Sequence, residues 1–543
     1  MLPAKVHRGI YLVLLALLGG SMVTSVWLSN LAWVLLGANW VLEGWSRPDG
    51  SNWHSTWREK WQMARSSSLL HAFVALYLLH LAGMLWTTHT ADGLGVLQVK
   101  LPLLVVPLVL LTSRPVTGRA RQAVLAIYAA TVLTVSIIAT VRLLTIPDLP
   151  YREAVPHISH IRFALNCCMV VYLAALGALG RLGHLRLPMK IACLVLMLWM
   201  LFFLALIHSY TAFAILALVS LVLVLVHRRW PLAILWLLVA AGAACLVGRE
   251  AKAYYRLIPQ ATQPLATHTA AGHPYIHYRD GIIENGNYIN NYLCPDEMRA
   301  EWQRRSTMSY DSVGDDGYSL QPTLVRYLNA LGLTKDSVGV HSLTDAQVAD
   351  VERGVANPVY LDRNPVRKMV YVILFEREYY VHTHAVRGFT MLQRFELWRA
   401  TLDVVRDHPW WGVGTGDVDH ELHARLAAMQ SSLADTRKST HNQYLAFLAA
   451  FGIAGFALLL LMFLRPLFGT RHPATPDRLK GTATSRTLSP FSALQLAWLL
   501  TILISCLTED TLSTLAGILF CTYFLAFRTP QCTNTTPSAT ESE

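Results

Sequence analysis

Charged residues are scarce in this chain of 543 residues: 15% are Asp, Glu, Lys or Arg, against about a quarter in a typical soluble domain. The scarcity excludes an ordinary soluble globular protein. Apolar residues reach 54% and gather in long runs, such as 11–18, 101–111, 191–207 and 456–463. Paired cysteines are also lacking. None of the eight, Cys167, Cys168, Cys193, Cys245, Cys294, Cys506, Cys521 and Cys532, forms a CxxC pair that would suggest a metal. Only Cys294 lies well inside the one large polar region, so a disulfide framework there is not expected. There is no internal repeat and no heptad run. The net charge of +11 invites a nucleic-acid reading, but the excess sits in short loops between apolar runs, as membrane topology requires. No nucleic-acid partner is expected.

A helix crossing a bilayer needs roughly 20 apolar residues. By that measure the chain reads as an all-α polytopic membrane protein with about twelve transmembrane helices. They lie near 9–26, 28–44, 68–88, 97–112, 122–141, 161–180, 190–208, 211–227, 231–249, 443–468, 491–508 and 511–528. Lys5 and Arg8 precede the first run without a clean cleavage site after it, so it reads as a retained helix. One set of loops is rich in Lys and Arg: Arg47, Arg58, Lys60 and Arg65; Arg114, Arg119 and Arg121; Arg181, Arg186 and Lys190; Arg228 and Arg229; Arg471, Arg478, Lys480 and Arg486. These loops should be cytoplasmic. Both termini then lie inside and the large polar segment lies outside. The expected organisation is a bundle of about nine helices over 1–249, an outer, mainly helical loop domain over 250–442, C-terminal membrane helices over 443–528, and a disordered tail over 529–543.

The outer segment should carry its own structure, because long structureless loops are uncommon. Thr344 with Gln347 three residues on marks a helix start. Apolar residues over 322–333 fall at helical spacing, and 365–375 suits helix or strand. Residues 387–406 suit an amphipathic helix that ends near Asp407-His408-Pro409. On that helix Arg394, Trp398 and Thr401 share a face. Arg suits bidentate contact with phosphate oxygens, although a plain headgroup-facing Arg is equally simple. Gly412-Val413-Gly414-Thr415-Gly416-Asp417 is neither a Walker A nor a dinucleotide fingerprint. It reads as an anion-binding backbone or as a tight turn. His441 just precedes an apolar run. It can take a proton from a hydroxyl, bind a phosphate, or simply hydrogen-bond locally. Asn442 suits a helix cap. Thr508-Glu509-Asp510 forms an outer turn whose acids can bind sugar hydroxyls, hold an Arg, or cap a helix. Arg142, Arg152 and Arg162 lie near the outer face. His71 and His80 read as core polar groups. No His/Cys/Asp/Glu cluster has metal-like spacing.

These residues together resemble the O-antigen ligase and polymerase superfamily. The resemblance rests on Arg394-x3-Trp398, on 409–417, on His441-Asn442-Gln443-Tyr444-Leu445 and on Phe451-Gly452-Ile453-Ala454-Gly455. Leu507 to Leu512 is similar to the tail of a subgroup with a long periplasmic loop. It implies a multi-pass glycosyltransferase of the bacterial inner membrane, working on the periplasmic face. The donor would be a glycan on undecaprenyl diphosphate, and the acceptor a hydroxyl of lipid A–core, another glycan or a protein. Transfer would invert the anomeric carbon with no metal or other cofactor. Arg394 would hold the diphosphate and His441 would be the catalytic or phosphate-contacting His, both within the segment 387–442. Trp398, Gly414, Gly416, Asp417, Asn442 and Glu509 would support them among membrane lipids. One departure stands out: the family's Arg at the outer end of a middle span is missing from His208-Ser209-Tyr210-Thr211-Ala212, so either another Arg such as Arg142 or Arg162 substitutes or the donor is bound differently. A transporter is the rival from another class. It would need functional charges deep in its spans, where acids and Lys are expected to be nearly absent.

Overall fold

The computed structural model describes residues 2–46, 56–147, 149–182, 185–256, 265–278, 281–312, 319–384, 386, 390–436, 438–469 and 490–527. The expected tail and the basic stretch 471–486 lie outside these residues. The described chain is mostly helical. It divides into two compact units: one from Met1–Ala233, Leu397–Met429 and Thr436–Glu543, the other from Ile234–Glu396 and Gln430–Asp435. Two helices, Trp230–Tyr255 and Thr390–Asp407, contribute residues to both units.

Among the described residues, seven helices are long and apolar enough to cross a membrane: Ala4–Thr24, Thr90–Thr112, Gly118–Thr145, His160–Ala178, Leu187–Leu206, Trp230–Tyr255 and Gln443–Met462. The pair Trp57–Ser66 and Ser68–Gly83, bent by 83°, adds an eighth if it counts as one broken span. Four of the expected spans fall outside this set: one is the helix Val26–Gly44, and the other three are short. Tyr210–Val226, Ser492–Ser505 and Leu515–Phe527 are apolar but short. A rise of about 1.5 Å per residue leaves each of them short of a hydrocarbon core about 30 Å thick. On Leu187–Leu206 the side chains of Ile191, Leu194, Val195, Leu198 and Phe202 are exposed. Water would penalise that face at about 25 cal/mol per Å², whereas lipid would not. Lys60, counted above among loop charges, is instead 1% exposed on the helix Trp57–Ser66, with Nζ 2.8 Å from Glu43 Oε2. Lys100 is likewise buried, inside Thr90–Thr112, where it donates to the Leu512 carbonyl at 3.0 Å. The expectation of spans nearly free of Lys therefore has an exception.

The second unit has its own core, with Met298, Trp302, Leu324, Leu328, Val340 and Phe375 among its buried residues. Its helices start as their sequence dictates. Thr344 Oγ1 accepts from the Gln347 amide and Gln347 Oε1 from the Thr344 amide, the expected capping box. The ambiguous stretch after Asn364 is helix, Pro365–Thr383. Pro365 fits its first turn and Asn364 caps the amides of Val366 and Arg367. One element is not helical. Ile283–Glu284 pairs with Asn287–Tyr288 across Asn285-Gly286, both at positive φ, a two-residue turn that Asn-Gly favours. Glu284 of that hairpin is fully buried and bidentate with Arg326, at 2.6 and 2.9 Å, and also receives the Tyr371 hydroxyl and Asn357. Burial alone would lower the Arg326 pKa. The Glu284 carboxylate more than reverses this, which keeps the pair charged inside the unit.

Candidate active site

The segment 409–417 belongs to the first unit and is laced onto its helices. The amides of Val413 and Gly414 donate to the carbonyls of Ala449 and Ala450, each at 2.9 Å, and Ile453 donates back to Pro409 at 2.9 Å. This pairing requires a break in the helix Gln443–Gly469, and Gly452 supplies it with φ 59° and ψ −158°. Gly412 answers it at φ 65°. A Cβ on Gly412 would stand 2.3 Å from the Ala450 carbonyl carbon, and one on Gly452 2.3 Å from that of Trp410. Two backbones touch here, and only glycine permits it. The next amides are also engaged: Thr415 and Gly416 donate to Thr87 Oγ1 at 2.8 and 3.3 Å. The anion-binding reading of this loop is thereby corrected. From Val413 to Gly416 its N–H groups already have protein acceptors, so Gly414 and Gly416 serve close packing.

Asp417 finishes the lacing. Its carboxylate accepts from the amides of Thr88 and His89 and from His89 Nδ1, at 2.7–2.8 Å. Burial pushes this carboxyl up, but those hydrogen bonds together hold it below the usual carboxylate range. His80, fully buried, donates from Nδ1 to the Leu76 carbonyl, and its own carbonyl receives Thr415 Oγ1. It is a satisfied core histidine, as expected.

His441 stands where the polar strand turns into the helix Gln443–Gly469. Its backbone is left-handed, at φ 47°, a conformation that non-glycine residues adopt chiefly at turns and functional sites. Both neighbours fix it. Asn442 Oδ1 caps the helix by accepting from Tyr444 and Leu445. The Gln443 amide donates to the Cys506 carbonyl, while Gln443 Oε1 receives the Leu512 amide at 2.6 Å. These bonds draw the turn Thr508-Glu509-Asp510 against His441. Nδ1 of His441 then lies 3.8 Å from Glu509 Oε2, with the imidazole one-third exposed and Glu509 buried. That Nδ1 is buried and makes no hydrogen bond among the described residues. His441, Glu509 and Asp510 each offer an atom within 4.8 Å of the others, a set that can hold a cation. Sequence spacing concealed this trio, because 68 residues separate its members.

A cationic group gathers elsewhere in the same unit. The turn Tyr151–Glu153 packs Tyr151 on His208, ring centroids 5.3 Å apart, and Arg142 Nη2 donates to the Glu153 carbonyl at 3.3 Å. Arg152 is therefore carried on a turn that lies against the stretch lacking the expected Arg. Burial, and then the charge of Arg152, lowers the pKa of Lys438. Lys438, three residues before His441, was missed in the sequence. Arg162 sits in the first turn of His160–Ala178, its Nε buried without a hydrogen bond among the described residues. Arg394 and Glu396 fall in the second unit and Trp398, one turn on, in the first, all on the helix Thr390–Asp407. Glu396 accepts from Ser431, and the Met391 amide at the start of that helix bonds Glu376.

Glu376 provides a stability test. Burial drives its pKa up to about 7, against the downward pull of the Met391 amide. The folded chain then binds a proton that the unfolded chain has released by about pH 4.3. Stability should fall as pH rises from there through about 7, by on the order of 3 kcal/mol. Glu376→Gln should melt higher than the wild type at pH 8 and lose this advantage at pH 5. Thermal unfolding at the two pH values decides it.

A family model described as O-Antigen ligase matches residues 364–460, a stretch that includes both Arg394 and His441. An uncharacterized protein of Haemophilus influenzae is 30% identical over 83 residues, 15% of this chain, and the match spans about a fifth (21%) of that protein. The chain thus combines, among the described residues, seven helices long and apolar enough to cross a membrane with a stretch, 364–460, that is similar to the O-Antigen ligase family.

Proposed function

We propose that this protein is a glycosyltransferase of the bacterial inner membrane, moving a glycan from undecaprenyl diphosphate to a hydroxyl of lipid A–core at the periplasmic face. The observation that carries the reading is the His441–Glu509 contact at 3.8 Å, on a left-handed backbone position inside the matched ligase domain. Glu509 faces Nδ1 and favours the tautomer protonated there, which leaves Nε2 as the base. The acceptor oxygen attacks the anomeric carbon and gives its proton to Nε2. The bond from that carbon to the diphosphate oxygen breaks, and its electron pair stays on the diphosphate. The imidazolium so formed faces the Glu509 carboxylate, which stabilises it. The contact is longer than a hydrogen bond, and charging the ring would shorten it.

The leaving diphosphate needs fixed positive charge. In this reading Arg394 supplies part of it. Arg142, Arg152, Arg162 and Lys438 supply the rest, and Arg152 takes the place of the Arg expected near Tyr210. Two cations kept within electrostatic reach of each other, Arg152 and Lys438, are stabilised when an anion joins them. Lys100 does not revive the transporter reading, since its ammonium is tied to the Leu512 carbonyl.

The test is transfer by the purified protein in lipid vesicles, given undecaprenyl diphosphate-linked glycan and lipid A–core. Glycan on lipid A–core supports the proposal. Lipid-linked chains that only lengthen would make the protein a polymerase, and glycan recovered on protein would make it an O-glycosyltransferase.

A further inference from the structure

Beside His441, the first unit holds two sets of polar groups in one neighbourhood, one fully satisfied and one not. The satisfied set is a scaffold. His89 and His420 stack with centroids 3.6 Å apart and planes 6° apart. His89 Nδ1 bonds Asp417 and His420 Nε2 bonds Asp92, both at 2.8 Å. Each ring is thus fixed by its own carboxylate, and each imidazole remains 45% exposed.

The unsatisfied set lies next to it. Asp419, in the first turn of Val418–Ala428, is exposed and makes no hydrogen bond among the described residues. Its carboxyl is pushed up by surrounding protein, with His423, Asp510, His420 and Asp92 in electrostatic reach. Asp510 is only 7% exposed; its backbone carbonyl accepts from Ser513, while its carboxylate makes no hydrogen bond among the described residues. Nε2 of His423 and Nδ1 of His441 are buried and unpartnered. For those two imidazole nitrogens a missing partner costs about 1–3 kcal/mol each, and such groups rarely persist unless something else completes them; the Asp419 carboxylate beside them is open to a ligand.

We propose that Asp419, His423 and Asp510 form a subsite for the acceptor sugar, which sets its reacting hydroxyl at His441. This rests on the glycosyl-transfer reading above. The chemistry selects the ligand class. Two carboxylates repel a phosphate but accept hydrogen bonds from neighbouring hydroxyls, as a pyranose presents them. The imidazoles can donate or accept, and the flat, half-exposed His89–His420 pair offers a ring face to the sugar's C–H groups. A divalent cation suits the site less well, because the buried Lys100 ammonium already lies in electrostatic reach of Asp510. A pyranose could also arrive as the first sugar of the donor. The position beside the base assigns it to the acceptor.

The experiment is steady-state transfer by full-length protein in vesicles, with whichever of lipid A–core or lipid-linked glycan the wild type accepts. Asp419→Asn and His423→Ala should each raise the acceptor KM about tenfold, the loss expected for a hydrogen bond to a charged group. The donor KM should stay within about twofold. Glu421→Gln, the same charge change on the same helix, should leave both unchanged. Melting temperatures check that all three variants fold. A rise confined to the donor KM, or no change in either, overturns the subsite. So does stoichiometric Mn²⁺ binding that Asp419→Asn abolishes. His441→Ala keeps the two readings apart: if it is inactive while Asp419→Asn behaves as wild type, only the subsite falls.

Discussion

His441→Ala should lower glycan transfer by about 10²–10⁴-fold, the usual contribution of a positioned general base, while the protein still folds. Both halves follow from the geometry. The ring contributes nothing to the fold that another side chain must replace: it is one-third exposed and its Nδ1 has no hydrogen bond among the described residues. The backbone is held by Asn442 and Gln443 instead. Its left-handed φ also argues for His441→Asn and His441→Gly as companions, since both tolerate that conformation. They should be as inactive as the alanine variant and at least as stable. Glu509→Gln keeps the shape but removes the charge facing the imidazolium. It should lose less than His441→Ala. Wild-type rates in His441→Ala and Arg394→Ala would end the proposed mechanism.

The largest structural effect should come from Gly452→Ala or Gly412→Ala. Each adds a Cβ that would stand 2.3 Å from a backbone carbon of the facing segment, so no rotamer change can relieve it. Each also forces a side chain into the left-handed region, which by itself costs roughly 1–2 kcal/mol. Moving the backbones apart then breaks the bonds from Val413, Gly414 and Ile453. Little folded protein should be recovered by size-exclusion chromatography in detergent, and what survives should melt several degrees lower. Gly242→Ala is the matched control. Nothing lies within 4 Å of its added Cβ, and inside the helix Trp230–Tyr255 alanine should be neutral or stabilising by up to about 1 kcal/mol. Normal folding of Gly412→Ala would show that the two backbones are not packed as described.

Local chemistry was readable in the sequence. The Thr344 and Gln347 pair marked its helix start, and Asn442 marked its cap, because capping needs only residues three apart. Asn285-Gly286 carried an equally local hairpin signal that the helical reading passed over. Partnerships across the chain were not readable. His441 meets Glu509 only because Gln443 grips the carbonyl of Cys506 and the amide of Leu512, and no spacing rule encodes that. The glycines of 412–416 look alike whether their amides face an anion or another helix, and only the carbonyls of Ala449 and Ala450 decide. Lys60 and Lys100 look like loop or misplaced charges until Glu43 and the Leu512 carbonyl are seen beside them. Span limits were less legible for a related reason: hydropathy reports that a run is apolar, not where its helix stops.

The lacing of 409–414 onto the helix at Gly452 fixes the point where the chain leaves the bundle. The bond from Gln443 to Cys506 fixes the point where it returns. The helix Val418–Ala428 that follows is anchored in its own right, by His420 to Asp92 and by the buried Leu422 and Leu426. Asp419, His420 and His423 all ride on it. A substitution at its polar positions can therefore alter the proposed acceptor subsite while the backbone bonds that hold His441 stay as they are.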